Sequence, residues 1–223
     1  MKNKQKQMAA EASIEFIKDG MTVGLGSGST INFMLEQLAE RVKEGLKING
    51  IPSSLKTERY AKRLGIPLSD FSTTTKIDIA IDGADEVDPN LHLLKGGGGS
   101  LVREKIVDRA ADKLIIIVDS SKVVSKLGEF PLPVEVLPFG FEVTTEQISA
   151  AGCVAVLREK DGQPFVSDNG NYILDCKFDS IEDPQALHEK LKSLTGVVET
   201  GLFPQMAHKV IVAREGTVDI LQR

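Results

Sequence analysis

Short apolar runs alternate with amphipathic segments along the first 127 residues of the chain. The apolar runs predict four strands, which read MTVGLG, LKINGIP, KIDIAIDGAD and KLIIIVDSSK. Apolar residues at helical spacing predict a first helix through Met8, Ala12 and Phe16, and later helices in INFMLEQLAERVKEG, SSLKTERYAKRLG and SLVREKIVDRAAD. Because alternating strands and helices are typical of a parallel sheet covered by helices, we predict an α/β fold that begins with a Rossmann-like, mainly parallel sheet domain.

The pattern changes near Leu127 and predicts a second, smaller domain. Its elements are a strand in PLPVEVLPFG, a helix capped by Thr144 or Thr145, a strand in CVAVLRE, a hairpin in QPFVSDNGNYILDCKF, a helix in DPQALHEKLKSLTG and a strand in VVETGLF. This βαββαβ order predicts a ferredoxin-like α+β domain over residues 128–200. The tail AHKVIVAREGTVDIL alternates like a hairpin, and we expect it to rejoin the first domain, which then covers residues 1–127 and 201–223.

The composition is that of a globular protein and narrows the classes of partner. The 223 residues are 41% hydrophobic and 26% charged, with a net charge of −5. Because nucleic-acid-binding domains usually carry a basic face, we expect no nucleic-acid partner, whereas a local cluster of cations can still bind a small anion. The chain shows neither a signal peptide nor a run long enough to span a membrane, so we expect no membrane partner and a cytoplasmic location. Cys153 and Cys176 form no CxxC motif and fit two reduced thiols.

Small, hydroxyl-bearing and charged residues follow each of the four predicted strands. They are Ser27-Gly28-Ser29-Thr30, Ser53-Ser54, Asp82-Gly83-Ala84-Asp85 and Asp119-Ser120-Ser121-Lys122. Ligands of open α/β sheets bind beyond the carboxyl ends of the strands, where parallel strands bring these loops to one edge. The sequence therefore predicts a polar ligand pocket there.

The loop GLGSGST is similar to two phosphate-binding motifs but matches neither. Ser29 stands where the dinucleotide fingerprint requires its third glycine, and the lysine of a Walker loop is missing. The backbone N–H groups of a helix N-terminus, together with the hydroxyls of Ser29 and Thr30, can nevertheless hold a phosphate. The alternative is a plain strand-to-helix turn with a hydroxyl cap.

The acidic loop DGADEVD places Asp82, Asp85, Glu86 and Asp88 close together in the chain. Crowded carboxylates repel each other, so we expect at least one of them to be perturbed or paired with a cation. A solvated acidic turn and a divalent-cation site are the alternatives, although the full calcium-loop pattern is absent.

The segment KGGGGSLVREK places four glycines between Lys95 and a predicted helix. Such a run lets the backbone pass close to a ligand and offer it several N–H donors. Glu104 lies one turn inside the helix, where an acid usually complements the helix dipole in solvent. Because Leu101, Ile106 and Val107 make the helix largely apolar, Glu104 could instead face the pocket and act as a general base.

Seven motifs occur together in order: GLGSGST, DGADEVD, KGGGGSLVREK, DSSK, GEFPLPVEVLPF, VSDNGNYILD and GVVETGLF. With this ordered set the chain resembles the A-type ribose-5-phosphate isomerases over nearly its whole length. These enzymes interconvert ribose 5-phosphate and ribulose 5-phosphate through an enediol(ate), in the non-oxidative branch of the pentose phosphate pathway. The resemblance implies a sugar phosphate as substrate, no metal, no organic cofactor, and a homo-oligomer that is a dimer or a tetramer.

Site residues follow from the resemblance position by position. The implied catalytic residues are Glu104 as the base, with Asp82, Asp85 and Lys95. The implied substrate-binding residues are Ser27, Gly28, Ser29, Thr30, Gly83, Ala84, Gly96, Gly97, Gly98, Lys122 and, on a looser alignment, Lys6.

Two other functions use the same features. A non-catalytic sugar-phosphate sensor would need the phosphate loop but not Glu104 beside Lys95, and it would usually carry a DNA-binding or partner domain. A nicotinamide-dependent reductase is weakened by the incomplete glycine fingerprint.

Overall fold

The computed structural model describes residues 2–222. The helices are α1 (Lys2–Ile14), α2 (Ser29–Lys43), α3 (Leu55–Leu64), α4 (Leu101–Ala110), α5 (Phe141–Ser149) and α6 (Pro184–Lys192), with a 3-10 turn at Ser120–Lys122. The strands are β1 (Thr22–Leu25), β2 (Asn49–Pro52), β3 (Ile79–Asp82), β4 (Glu86–Val87), β5 (Leu93–Leu94), β6 (Leu114–Asp119), β7 (Leu132–Val136), β8 (Val154–Leu157), β9 (Glu159–Lys160), β10 (Gln163–Pro164), β11 (Tyr172–Lys177), β12 (Val197–Thr200), β13 (Leu202–Phe203), β14 (Lys209–Ala213) and β15 (Val218–Gln222).

The chain divides into two compact units. The first unit comprises residues up to Ala84, Arg103–Val123 and the residues from Met206 on, and the second comprises Asp85–Val102 and Val124–Gln205. The units divide the chain differently from the predicted domains, because the glycine segment belongs to the second unit. The domain bounds 1–127 with 201–223, and 128–200, stay a prediction.

The first unit is built on a six-stranded sheet of order β15-β14-β6-β3-β1-β2. All neighbouring strands are parallel except β15, which pairs antiparallel with β14. Every residue of β6 is buried, as expected for a parallel strand covered on both faces. The predicted Rossmann-like, mainly parallel sheet is therefore confirmed, and the tail hairpin joins it as predicted.

Two helices supply much of the apolar cover of this sheet. Helix α1 buries Ala9, Ala10 and Ile14, and α2 buries a stripe that includes Met34 and Leu38. The stripe recurs at the spacing of one helix face, so its burial fixes how α2 is rotated.

The second unit contains a four-stranded antiparallel sheet of order β12-β7-β11-β8. Its main elements follow the order β7-α5-β8-β11-α6-β12, which confirms the predicted ferredoxin-like arrangement. Its core is formed by β7 and β11 with side chains from both helices, among them Ile148 and Leu191. Cys176 is buried in this core and Cys153 is half-buried, and both thiols are free.

Several local predictions need correction. Helix α5 begins at Phe141 with Gly140 as its N-cap, so neither Thr144 nor Thr145 is the cap. Both threonine hydroxyls instead donate to backbone carbonyls four residues earlier, a bond that threonines inside helices can make. Helix α1 ends at Ile14, so Phe16 lies beyond it.

A three-stranded sheet of order β13-β5-β4 was not predicted. Each of its strands has two residues, which is too short to show an alternating pattern. Within the described residues 2–222, none of the helices has the length and apolar character that a membrane crossing requires.

Candidate active site

The N-terminus of α2 lies at the end of the loop after β1. Gly28 is its N-cap, with φ of 118°, and no side chain hydrogen-bonds to the first turn as a cap. Ser29 and Thr30 lie inside that first turn, so the alternative of a hydroxyl-capped turn is wrong. An N-terminus without a side-chain cap leaves N–H groups, and the positive end of the helix dipole, for an anion.

Lys6 on α1 contacts this loop. Its Nζ donates a hydrogen bond to Oγ of Ser29 at 2.8 Å. The bond places an ammonium group beside a helix N-terminus, and both features favour a negatively charged ligand. The structure thus joins Lys6, whose alignment was loose, to the predicted phosphate loop.

Ser27 anchors the same loop through a cluster of hydroxyl groups. Its Oγ lies 3.0 Å from Oγ of Ser53, 2.9 Å from Oγ of Ser54 and 3.1 Å from Oγ1 of Thr57. Thr57 in turn donates to the carbonyl of Gly26 at 2.8 Å. Ser54 is also the N-cap of α3, and its Oγ accepts the N–H of Thr57. Thr57 was not predicted as part of this cluster, although it is the third residue after a capping serine, a position whose N–H such a cap usually accepts.

Asp82 ends β3 and is fully buried. Its Oδ1 accepts the N–H of Ser27 at 2.9 Å and that of Gly83 at 2.7 Å. One carboxylate oxygen therefore fixes the loops after β1 and β3 together. Gly83 and Ala84 follow it and are half-buried.

Glu104 lies in the first turn of α4 and is 5% exposed. The apolar face predicted for this helix is only partly right, since Ile106 is 52% exposed while Lys105 and Asp108 are buried. The apolar stripe alone therefore does not decide which residues of this helix are buried. Lys122 closes the 3-10 turn after β6 and is half-buried.

In the second unit, Asp85 contacts the glycine segment. Its Oδ2 accepts the N–H of Gly97 at 2.8 Å, and its own N–H donates to the carbonyl of Leu94. A Cβ atom at position 97 would lie 2.8 Å from Oδ1 of Asp85 and 3.0 Å from the ring of Phe130. Only glycine allows this close approach. Gly96, with φ of 97°, is buried, and Gly98 is exposed.

Lys95 precedes the glycines and is 1% exposed. Its N–H donates to the carbonyl of Gly201, and its Nζ lies 5.4 Å from the ring centroid of Phe203. This distance is within the range of a cation–π interaction, which stabilises an ammonium group away from bulk water.

The structure gathers the predicted residues into one set per unit. The first unit joins Lys6 with Ser29 and Ser27 with Asp82, and it also holds Gly28, Thr30, Gly83, Ala84, Glu104 and Lys122. The second unit joins Asp85 with Gly97 and also holds Lys95, Gly96 and Gly98. The boundary between the units passes through the acidic loop, between Ala84 and Asp85.

Two charged residues of the second unit hydrogen-bond to its backbone near the predicted site residues, and the sequence did not predict this role for either of them. Glu86 is buried, and its carboxylate accepts the N–H groups of Gly128 and Phe130. Arg158 donates to the carbonyls of Gly96 and Gly97. The sequence marks Glu86 only as one of several crowded acids. No local pattern marks Arg158, because its glycine contacts lie 61 and 62 positions away in the chain.

A divalent-cation site is one of the alternatives for the acidic loop. Over residues 2–222, no group of three or more His, Cys, Asp and Glu side chains is arranged to hold a metal ion. The carboxylates of Asp82 and Asp85 instead accept backbone N–H groups.

Comparisons with known proteins point to one family. The family model for ribose 5-phosphate isomerase A, or phosphoriboisomerase A, matches residues 49–217. Ribose-5-phosphate isomerase A 2 of Oceanobacillus iheyensis is 51% identical over 224 residues and covers 100% of both chains. A solved D-ribose-5-phosphate isomerase in complex with phospho-erythronic acid is 38% identical, with a TM-score of 0.97 and coverage of 100% of both chains. The ribose 5-phosphate isomerase A of Methanocaldococcus jannaschii is 39% identical, with a TM-score of 0.95 and coverage of 99% of each chain.

Gly26→Ala tests the close approach of the loop after β1 to Asp82. A Cβ atom at position 26 would lie 2.2 Å from Oδ1 and 2.6 Å from Cα of Asp82. Because backbone must move to admit it, we expect the free energy of unfolding to fall by about 1–3 kcal/mol, the usual cost of overpacking. Chemical denaturation measures the difference.

Gly83→Ala is the matched control. A Cβ atom at position 83 would meet nothing nearer than 3.7 Å, so the free energy of unfolding should change by less than about 0.5 kcal/mol. Equal stability of the two variants would contradict the proposed steric constraint at Gly26.

Proposed function

The chain belongs to the ribose 5-phosphate isomerase A family, and we propose that its own residues perform the family's aldose–ketose isomerisation of D-ribose 5-phosphate and D-ribulose 5-phosphate. The observation that carries this proposal is the anion site at α2, where Lys6 meets Ser29 at a helix N-terminus without a side-chain cap. A phosphorylated substrate supplies the negative charge that this site favours.

The phosphate group binds at this site. The backbone N–H groups of the first turn of α2 donate to its oxygens, together with the hydroxyls of Ser29 and Thr30. Lys6 adds a charge-assisted hydrogen bond. Lys122, after β6, is a further cation for the substrate, as the resemblance implies. Binding energy from the phosphate holds the reactive end of the sugar in place, which is how a remote group contributes to the rate.

Glu104 removes the proton from C2 of the open-chain aldose. A cis-enediol(ate) forms, and the proton returns at C1 to give the ketose. The near-complete burial of Glu104 supports this role, because a carboxylate held away from bulk water in the first turn of α4 can be positioned against a carbon-bound proton.

Negative charge grows on the carbonyl oxygen as the proton leaves C2. The ammonium group of Lys95 and the N–H groups of the glycine segment stabilise it, in the manner of an oxyanion hole. Asp82 and Asp85 hold the substrate hydroxyls and move the hydroxyl proton between O1 and O2. Oδ1 of Asp82 also holds the loop after β1 by accepting two backbone N–H groups.

Typical rate factors allow the contributions of the general base and the oxyanion donors to be compared. A positioned general base typically contributes a factor of about 10² to 10⁴. Removal of one oxyanion donor typically costs about 10² to 10³. The phosphate contacts and the oxyanion donors must therefore supply a share comparable with that of the base.

An absorbance assay for ketose formation from ribose 5-phosphate tests the proposal. Turnover that survives treatment with a chelator supports isomerisation by side chains alone. Binding of ribose 5-phosphate without turnover would instead favour the sugar-phosphate sensor.

We also propose a homo-oligomer, dimer or tetramer, in the cytoplasm. Phe139 is 96% exposed, and Leu137 and Val143 on either side of it in the chain are also exposed, which suits a surface that a second copy covers. The two free thiols suit a reducing compartment. Light scattering of the purified chain measures the number of subunits, and a monomer would refute the assembly.

Glu104→Gln tests the base. The change keeps the shape of the side chain and removes its basicity, so we expect kcat to fall by about 10² to 10⁴ while KM changes little. Glu142→Gln is the control, because Glu142 also lies in the first turn of a helix but is exposed. Turnover of Glu104→Gln near that of the control would remove Glu104 from the mechanism.

Lys6→Met tests the phosphate contact. Loss of a charge-assisted hydrogen bond of about 1.5–3 kcal/mol should lower kcat/KM for ribose 5-phosphate roughly 10- to 100-fold, mainly through KM. Activity on unphosphorylated ribose should not change. The control is Lys4→Met, an exposed lysine on the same helix. An unchanged KM in Lys6→Met would place the phosphate elsewhere.

A further inference from the structure

Arg158 binds the glycine segment from within the second unit. Its Nη1 donates to the carbonyl of Gly96 and to the carbonyl of Gly97, each at 3.1 Å. Its Nε and Nη2 donate to the two carboxylate oxygens of Asp175 on β11. This two-pronged pairing fixes the plane of the guanidinium group, so both carbonyls meet a donor of defined direction. The side chain of Arg158 is only 14% exposed.

The two carbonyl contacts determine where the next N–H groups point. In a planar trans peptide, the C=O of one residue and the N–H of the next point in opposite directions. The carbonyl of Gly96 points to Arg158, and the N–H of Gly97 accordingly points away from it, to Oδ2 of Asp85 at 2.8 Å. The carbonyl of Gly97 also points to Arg158, which turns the N–H of Gly98 away from the arginine in the same manner.

The N–H of Gly98 is available to a ligand. Gly98 is exposed, and its N–H donates to no atom of the described residues 2–222. A guanidinium group on the carbonyl of Gly97 polarises that peptide and so strengthens its N–H as a donor. The peptide between Gly97 and Gly98 is therefore an oriented, polarised donor without an internal acceptor.

We propose that Arg158, held by Asp175, is a positioning residue that aims the N–H of Gly98 at the oxygen that becomes negative during isomerisation. This role rests on the proposed function of the glycine segment. Arg158 touches no substrate atom and acts through the peptide alone. Because the donor is already oriented, no reorganisation is needed as the charge develops.

Four variants and a control test the proposal, the fourth variant being Arg158→Ala, which leaves space for added guanidinium ion. Arg158→Met removes both contacts with the glycine carbonyls. Arg158→Lys keeps the positive charge but loses the planar guanidinium group that can pair with two acceptors at once. Asp175→Asn keeps the shape of the side chain but weakens its pairing with Arg158. Arg214→Met is the control, because Arg214 pairs with Asp219 at 2.7 Å and contacts no glycine of the segment. Each variant is assayed with ribose 5-phosphate, and its inhibition by phospho-erythronic acid is measured, because the carboxylate of this acid can stand in for the enediolate.

We expect Arg158→Met to lower kcat roughly 10- to 100-fold with less than about a threefold change in KM, since the lost interaction belongs to the transition state. Inhibition by the acid should weaken by a similar factor. The kcat values of Arg158→Lys and Asp175→Asn should lie between those of Arg158→Met and the wild type. Added guanidinium ion at millimolar concentration should restore part of kcat in Arg158→Ala, which a purely structural role would not allow.

Several outcomes overturn the proposal. One is a folded Arg158→Met variant whose kcat, and whose inhibition by phospho-erythronic acid, equal those of the Arg214→Met control. Another is an Arg158→Met variant in which KM changes and kcat does not. If Arg158→Met fails to fold, Asp175→Asn decides, and wild-type kcat in that variant counts against the positioning role. A wild-type chain that does not isomerise ribose 5-phosphate would instead refute the proposed function itself, so the two failures are distinguishable.

Discussion

One buried carboxylate oxygen sets the geometry of the loops after β1 and β3 in the first unit. Oδ1 of Asp82 accepts the N–H groups of Ser27 and Gly83, so the loops after two neighbouring strands share one acceptor. The pairing of β1 with β3 brings Leu25 opposite Ile81, and the next residues, Gly26 and Asp82, are therefore adjacent. A buried carboxylate without such partners would be costly, so the loops and the acid stabilise each other.

Glycine is required at three positions in these loops, for two different reasons. At position 26 it leaves room for the side chain of Asp82, and at position 97 it leaves room for Asp85 and Phe130. At position 96 the backbone is left-handed, which other residues rarely adopt. The close approach at positions 26 and 97 goes with backbone N–H groups that lie 2.9 Å from Oδ1 of Asp82 and 2.8 Å from Oδ2 of Asp85.

The sequence predicted the elements that hydrophobic patterns specify and missed those that depend on distant contacts. The buried strands of the first sheet and the βαββαβ order of the second unit were predicted because apolar runs and turn residues encode them locally. The cap of α5 was not, because Gly140 provides the bend that a threonine was expected to cap. The role of Arg158 could not be predicted, because the carbonyls that it contacts lie 61 and 62 positions away in the chain and no pattern around position 158 points to them.

The pairing of Arg158 with Asp175 also determines which kind of charge the glycine segment presents. A lone buried guanidinium would add a full positive charge, whereas the pair is neutral and leaves the peptide dipoles as the local donors. The backbone of Arg158 is fixed on both sides, because its N–H donates to the carbonyl of Ile173 and its carbonyl accepts the N–H of Phe165. Gly99 lies against the ring of Phe165, where a Cβ atom would come within 2.5 Å. The arginine, the ring and the glycines therefore restrain one another, and the orientation of the Gly98 N–H follows from this packing.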